Sequence, residues 1–224
     1  MTGAQCNPQA IESLRAIPLF SSAGEADLAS IASLLIERRI AKHKTIVEEG
    51  LTGDYMYVIA SGRVKVTKLS GDGREKILEL LGTGDFFGEM SLLDDAPRSA
   101  SVKALCDLRI FALSRSDFLT LLRGSPNLCL AVITELTKRL RHVDEQASSL
   151  SFQGVRERTI GLLNRLAKHE CEAEGRMSTQ PLTHQQIADM IGTSRETVTR
   201  AIKGLKASGW VQQDGKRYLV PIED

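Results

Sequence analysis

LTHQQIADMIGTSRETVTRAIKGLKASGW, Leu182 to Trp210, reads as two short helices joined by a tight turn, the second with a basic outer surface. Thr183 is placed to cap the first helix, and Gln186, three residues on, completes a capping box. Ile187, Ala188 and Ile191 share one face, and Gly192 permits the sharp turn that follows. Ser194 is the expected N-cap of the second helix. Thr197 offers no box partner there, so the N–H groups of that first turn stay free. Val198, Ile202 and Leu205 form the buried stripe, which leaves Arg195, Glu196, Thr199, Arg200 and Lys203 outside. Such a unit fits the major groove of DNA. Arginine can donate two hydrogen bonds to guanine O6 and N7, and glutamate can accept from cytosine N4. Lys203, Lys206, Lys216 and Arg217 suit phosphates, which add affinity without sequence choice. DGKRYLV, Asp214 to Val220, reads as the turn and strand of a β wing. The candidate DNA-contacting set is Thr183, Ser194, Arg195, Glu196, Thr199, Arg200, Lys203, Lys216 and Arg217. A solvated helix with Arg–Glu pairs one turn apart would account for the charges but not for the agreement of turn, caps and charge placement.

The bulk composition narrows the classes. With 29 basic and 28 acidic residues the net charge is +1, so a nucleic-acid site must be local. The 224 residues, 42% of them hydrophobic, suffice for one large domain or two small ones. Cys6, Cys106, Cys129 and Cys171 are scattered with no C-x-x-C pair, so no metal or iron–sulfur cluster is expected. His43 and His142 are isolated, so no haem is expected. No G-x-x-x-x-G-K-[ST] loop and no Ser–His–Asp grouping occurs, which argues against an enzyme. The first residues lack a signal-peptide pattern, and no stretch reaches about eighteen apolar residues. The expectation is a cytoplasmic protein without a membrane role.

Around this unit the pattern divides the chain into three. Ile11, Leu14 and Ile17, then Leu28, Ile31 and Leu34, recur at helical steps. From about residue 38 to 115 short strands alternate with glycine turns. MYVIASGRVKVTKL (Met56–Leu69) gives two strands around Ser61-Gly62, SGDGREKILELL (Ser70–Leu81) a turn and a strand, and SASVKALCDLRIFAL (Ser99–Leu113) further strand. Many short strands at close spacing predict a small β-barrel or jelly roll that closes its own edges. Pro126 then opens a long helix. Ile133, Leu136, Leu140, Val143, Ala147 and Leu150 space out a heptad seam, with Lys138, Arg139, Arg141, Asp144 and Glu145 around it. A two-stranded coiled coil fits this pattern; a helix lying on its own barrel is the alternative. VRERTIGLLNRLAKHE (Val155–Glu170) is an amphipathic helix, and CEAEGRMSTQP (Cys171–Pro181) a polar loop. The expected class is α+β: a β-barrel effector domain over residues 1–125, a dimerisation helix over 126–151, and a winged helix-turn-helix over 152–224.

A second motif is FFGEMSLLDDAPRSASVKA, Phe86 to Ala104. Gly88 would let backbone approach a ligand closely. Glu89, Met90 and Ser91 would begin a short helix whose free N–H groups favour an anion. Glu89 can accept from a ribose hydroxyl, Arg98 can pair with a phosphate, and Ser99 can donate to it. This run resembles the phosphate-binding cassette of cyclic nucleotide-binding domains. Gly53, Asp54 and Gly62 match turn positions of such domains, and the Gly84-Asp85 pair is expected to be structural. Alternatively, Arg98 pairs with Glu89 or Asp95 and the pocket binds nothing.

Together with TSRETVTR (Thr193–Arg200), the motif makes the chain resemble the CRP/FNR family of bacterial transcription regulators, over about residues 10 to 221. The resemblance implies that Arg195, Glu196 and Arg200 read bases in inverted repeats with TGTGA-like arms. It implies a homodimer that bends DNA and contacts RNA polymerase, and the cassette leaves cAMP, cGMP or a different ligand as its effector. The nucleotide set would be Gly88, Glu89, Met90, Ser91, Arg98 and Ser99, with Val143 and Asp144 facing the base. The last two depart from the family, whose cAMP-binding members place a threonine and a serine there. Valine offers no polar atom, whereas Asp144 could accept from an adenine amino group or from guanine N1–H and N2–H, or equally sit in solvent beside the seam or face Arg141. Ligand contact with the long helix would reset a hinge near Phe152 and set the two reading helices one DNA turn apart.

Overall fold

The computed structural model describes residues 14–15, 17–20, 24–71, 73, 75–168 and 176–222. Ile11, Cys6 and Cys171 lie outside them. The chain divides into two compact units, Met1–Leu140 and Arg141–Asp224.

In the first unit a 3-10 turn, Pro18–Phe20, precedes α1 (Glu25–Leu34). Eight strands follow: β1 (Ile36–Ile40), β2 (Thr45–Val47), β3 (Tyr55–Ser61), β4 (Val64–Leu69), β5 (Glu75–Leu81), β6 (Phe86–Phe87), β7 (Ser101–Ala104) and β8 (Leu108–Ser114). A short helix, α2 (Met90–Leu93), lies between β6 and β7. After β8 come α3 (Arg115–Gly124), a helix the sequence pattern leaves unassigned, and α4 (Pro126–Phe152). Ser114 caps α3 by accepting from the Asp117 N–H at 3.2 Å. Ser125 Oγ accepts from the Leu128 N–H at 3.3 Å just before Pro126, which suits the first turn of α4 because it has no N–H to satisfy.

The expected closed barrel is not what forms. The strands make two four-stranded antiparallel sheets, ordered β1-β8-β3-β6 and β2-β7-β4-β5, and neither closes. Closure fails at edges that cannot continue a ladder. β6 is two residues long and ends where Gly88, at φ 83°, turns the chain away. At the opposite edge β1 reads IERRI, with exposed charged side chains that blunt it. The strands around Ser61-Gly62 are placed as expected but are no hairpin: β3 joins one sheet and β4 the other. Ser99–Leu113 likewise splits into β7 and β8, in different sheets. Both corners meet at Gly62 (φ 103°), where an added Cβ would lie 2.5 Å from Leu108 Cδ2.

Alternation along β3 explains how the layers stack. Tyr57 and Ile59 face the second sheet, in a core with Val64, Leu81, Phe87, Val102 and Ile110. Met56 and Val58 face the other way, onto Leu14, Phe20, Leu28, Ile31, Phe118, Leu128 and Val132. A strand buried on both faces is therefore apolar at every position from Met56 to Ile59. Leu136 of α4 packs partly on this outer core, whereas Leu130, Ile133, Leu140 and Val143 are 57–62% exposed. The seam read from the sequence thus mixes two faces; the Leu150 side chain lies outside the description.

The second unit holds α5 (Val155–Leu166), β9 (Ala167–Lys168), β10 (Arg176–Thr179), α6 (His184–Ile191), α7 (Arg195–Ala207), β11 (Gln212–Asp214) and β12 (Arg217–Pro221). Its sheet runs β11-β12-β10-β9. The predicted helix to Glu170 therefore stops at Leu166, and the predicted polar loop contains a strand. Thr179, fully buried, holds that strand in place: its Oγ1 accepts from the Tyr218 N–H at 3.1 Å and donates to the Gln180 carbonyl at 2.9 Å. Arg176, the first residue of β10, ties this interior strand to the turn after α7 by donating to the carbonyls of Gly209 and Trp210, each at 3.0 Å.

Candidate functional site

Two constellations carry chemistry. The first surrounds Arg98, in the loop between α2 and β7. Its backbone N–H donates to the Leu51 carbonyl at 2.8 Å, and its carbonyl accepts from the Gly50 N–H at 2.9 Å. That clamp aims the side chain inward, where it is 7% exposed. Nη1 donates to the Gly88 carbonyl at 2.5 Å and to Ser91 Oγ at 2.8 Å; Nη2 donates to the Tyr55 carbonyl at 2.6 Å. A Cβ on Gly53 or on Gly88 would strike the guanidinium, so both glycines shape its berth. Burial pulls the guanidinium below its ordinary pKa, with Tyr57, Glu89 and Asp54 acting against that.

Arg98 pairs with neither Glu89 nor Asp95. Asp95 takes Arg115 at 2.7 Å. Glu89, 1% exposed, accepts at Oε1 from Arg139 Nη1 of α4 at 2.8 Å. Arg139 Nη2 donates to the Phe86 carbonyl at 2.6 Å, and its guanidinium lies over the Phe86 ring, 4.8 Å from the centroid. Burial pushes the Glu89 carboxyl above its ordinary value, opposed chiefly by the Arg139 charge. Glu89 Oε2 is buried and has no hydrogen-bond partner among the described residues.

The structure thus gathers Gly88, Glu89, Ser91 and Arg98. Ser99 and Met90 are on the surface, in contact with each other at 3.8 Å between Oγ and Sδ. Val143 and Asp144 are exposed on α4. The heptad pattern sets Arg139 among the residues around the seam, whereas it turns into the domain core. The signal that could have found it is its position: it follows Leu128, Val132 and Leu136 along the core-facing stripe of the helix, where a charge needs a partner.

The second constellation is α6 and α7. Thr183 Oγ1 accepts from the Gln186 N–H at 3.2 Å, and Gln186 Oε1 accepts from the Thr183 N–H at 2.9 Å, which forms the expected capping box. Gly192 ends α6 in the left-handed region at φ 68°. Ser194 Oγ caps α7 by accepting from the Thr197 N–H at 3.2 Å. Ile187, Ala188, Ile191, Val198, Ile202 and Leu205 are buried, whereas Arg195, Glu196, Thr199, Arg200 and Lys203 are exposed. Hydrogen bonds from its own backbone N–H and from Ser194, then Arg195 and Arg200, hold the Glu196 carboxyl below its ordinary value. It is therefore an ionised acceptor at neutral pH, the state that can take a cytosine amino hydrogen. Lys216 and Arg217 sit exposed at the tip of the β11–β12 hairpin, where Gly215 (φ 58°) makes the tight turn. One contact was not foreseen: His184 Nδ1 lies 2.9 Å from Thr199 Oγ1.

Residues 37–125 match the family model described as a cyclic nucleotide-binding domain, and residues 157–224 that of a Crp-like helix-turn-helix domain. The chain is 30% identical over 204 residues to a CRP-like cAMP-activated global transcriptional regulator of Mycobacterium tuberculosis, covering 90% of this chain and 91% of the relative. It is 35% identical over 199 residues to a cyclic AMP receptor protein of Thermus thermophilus, covering 89% and 90%. Among solved structures, a c-di-GMP-responsive global regulator of Xanthomonas campestris aligns with a TM-score of 0.73 at 25% identity, over 89% of this chain and 100% of that one.

Proposed function

This chain belongs to the CRP/FNR family of DNA-binding transcription regulators, and from that premise we propose that it is a homodimer gated by a cyclic nucleotide held at Arg98 and Glu89. The observation that carries this reading is a buried arginine, berthed on two glycines, in one site with a buried carboxylate whose Oε2 has no partner among the described residues. A cyclic phosphate would draw the Arg98 guanidinium onto its oxygens, which offer bidentate acceptors in place of the Gly88 and Tyr55 carbonyls. A ribose hydroxyl would donate to Glu89 Oε2, the acceptor that lacks a partner. Glu89 is also held by Arg139, so ligand contact reaches α4 directly. Ser99 would turn to the phosphate from the surface, and Asp144 would be the polar group at the base end. The relatives described as cAMP-activated and as a cyclic AMP receptor support a cyclic nucleotide, and the one described as c-di-GMP-responsive keeps the base open.

The exposed apolar residues of α4 supply the dimer contact, and two copies of α7 would then address half-sites about 34 Å apart. Arg195, Glu196 and Arg200 read bases in TGTGA-like arms, Lys203, Lys216 and Arg217 hold phosphates, and RNA polymerase is the partner on the promoter. Ligand acts by shifting the dimer between two arrangements about a hinge near Phe152. The second reading, an effector-independent regulator, draws on one observation: internal carbonyls and Ser91 already satisfy Arg98. Calorimetric titration of the full chain with cAMP, then cGMP, separates the two. Saturable heat that disappears in Arg98→Ala supports gating; no heat with either nucleotide, alongside specific DNA binding by the free protein, supports the second reading.

A further inference from the structure

Thr199 stands on the exposed face of α7, one residue before Arg200 and one turn after Arg195. Its Oγ1 donates to the Arg195 carbonyl at 2.9 Å. A hydroxyl has one hydrogen to give. With that hydrogen committed, the 2.9 Å contact with His184 Nδ1 has the imidazole N–H donating to the threonine oxygen. This fixes the His184 tautomer, with hydrogen on Nδ1 and a lone pair on Nε2. The ring also stacks on Tyr218, a fully buried residue of β12, at a centroid distance of 6.5 Å and 29° between planes. His184 is the first residue of α6, so one side chain ties the start of that helix to the second turn of α7.

The consequence falls on the threonine rotamer. In a helix threonine divides between two χ1 wells, because its hydroxyl can reach back to either of two carbonyls. A second hydrogen bond to the same oxygen selects the well in which the hydroxyl serves Arg195 and His184 together. With its hydrogen given to Arg195 and one of its two lone pairs taken by His184, the Thr199 hydroxyl has no donor left, and the methyl group is the larger part of what the side chain can offer a base. In the major groove a methyl group is complementary to the thymine C5-methyl and to no other base edge.

We propose that His184 is a positioning residue for DNA reading, and that by locking Thr199 it makes the Thr199 methyl a reader of one thymine per half-site, beside the base pair that Arg200 contacts. The proposal rests on the assignment of α7 as the base-reading helix. It names a role for a residue outside the expected DNA-contacting set. The lock does not depend on His184 gaining a second proton, since the Nδ1 hydrogen is present in both the neutral and the charged ring.

The test uses the full chain and short duplexes bearing an inverted repeat with TGTGA-type arms. Each base pair is varied in turn, and each thymine is also replaced by deoxyuridine, which differs only by the missing C5-methyl. The readout is the thymine-to-uracil affinity ratio within one variant, so a general loss of affinity or stability cancels. The wild-type chain should bind roughly fourfold less tightly per arm when one particular thymine becomes deoxyuridine, about the worth of one buried methyl. Thr199→Ser, which keeps the hydroxyl and drops the methyl, should bring that ratio near one. His184→Ala should lower it as well, and His184→Asn, whose amide nitrogen can stand where Nδ1 stands, should restore it. A ratio unchanged in His184→Ala overturns the positioning role, and one unchanged in Thr199→Ser overturns thymine reading. If the wild-type chain does not prefer the repeat over random duplex, and Arg200→Ala changes nothing, the α7 assignment fails and this inference fails with it.

Discussion

Arg98→Lys keeps the charge and removes the fork. In the free protein the guanidinium reaches three acceptors from two nitrogens: the Gly88 carbonyl at 2.5 Å, Ser91 Oγ at 2.8 Å and the Tyr55 carbonyl at 2.6 Å. A lysine ammonium is a single nitrogen on a flexible stem, so it can serve one side of this berth, Gly88 and Ser91 or Tyr55, but not both. At least one part-buried acceptor is left without its donor. Hydrogen bonds to charged donors contribute about 1.5–3 kcal/mol each, so the ligand-free variant should lose roughly 2–3 kcal/mol. Urea denaturation reads this as a lower midpoint at unchanged slope. Nucleotide binding should suffer as well, because a bidentate phosphate contact becomes a point contact. If about 1.5–3 kcal/mol is lost there, cAMP affinity falls roughly tenfold or more in calorimetry. Were the lysine variant to match the wild-type chain in urea midpoint and in affinity, the guanidinium geometry would be irrelevant and Arg98 would act as a bare charge.

Four further outcomes are expected. Thr179→Val keeps shape but strips the acceptor from the buried Tyr218 N–H, which should cost about 1–3 kcal/mol in chemical denaturation; an unchanged midpoint would remove Thr179 from the account of β10. His142 accepts at Nδ1 from Arg165 at 3.1 Å, since a guanidinium only donates, and burial, then Arg165, holds its pKa below the ordinary imidazole value of 6.5. Its stabilising contribution is therefore complete above about pH 6.5 and lost as pH falls through the lowered folded value, so His142→Gln should flatten stability across that window; parallel pH curves for the two proteins would refute this. Ile133→Glu with Leu140→Glu, both at exposed positions, should abolish dimerisation in sedimentation equilibrium while leaving the far-ultraviolet spectrum intact, and a persistent dimer would place its interface elsewhere. Lys216→Ala should weaken binding to all duplexes alike and lower the salt slope by about 0.9, whereas a sequence-selective loss would contradict a phosphate contact.

How much of this was legible in the sequence depends on how local each cause is. The Thr183–Gln186 box, the Gly192 turn and the Ser194 cap are decided within a few residues, and each was readable. The start of the long helix at Pro126 was readable for the same reason. Strand positions were also largely legible, because alternation and glycine turns are local. Strand partners were not. β3 and β4 adjoin at Gly62 yet belong to opposite sheets, a choice made by Leu108 and Cys106 arriving from more than forty residues away. The barrel expectation failed at that same level: closure depends on edges meeting, and the two edges of the first sheet, a charged β1 and a two-residue β6, do not continue the ladder. β10 escaped notice because its buried positions are Ser178 and Thr179, polar residues satisfied by hydrogen bonds that no hydrophobic period reports.

The long helix shows the same limit in one element, with a functional consequence. A heptad pattern detects apolar residues at steps of three and four, but it does not say how many surfaces they serve. On α4, Leu128, Val132 and Leu136 are spent on the helix's own domain, while Leu130, Ile133 and Leu140 face away from it. Arg139 lies on the inward stripe, where only an ion pair makes a charge tolerable, and that pair is with Glu89. Glu89 in turn keeps one buried oxygen unpartnered, and desolvation raises its pKa despite the arginine. A ligand hydroxyl donating to that oxygen would favour the ionised carboxylate and so strengthen its hold on Arg139. The inward face of α4 would then stiffen whenever the pocket fills, while the outward face of the same helix would offer its exposed apolar residues to a second copy. One helix with two apolar stripes would let occupancy of the proposed pocket be felt at a subunit contact if a second copy packs on the outward stripe, which a single-seam helix could not do.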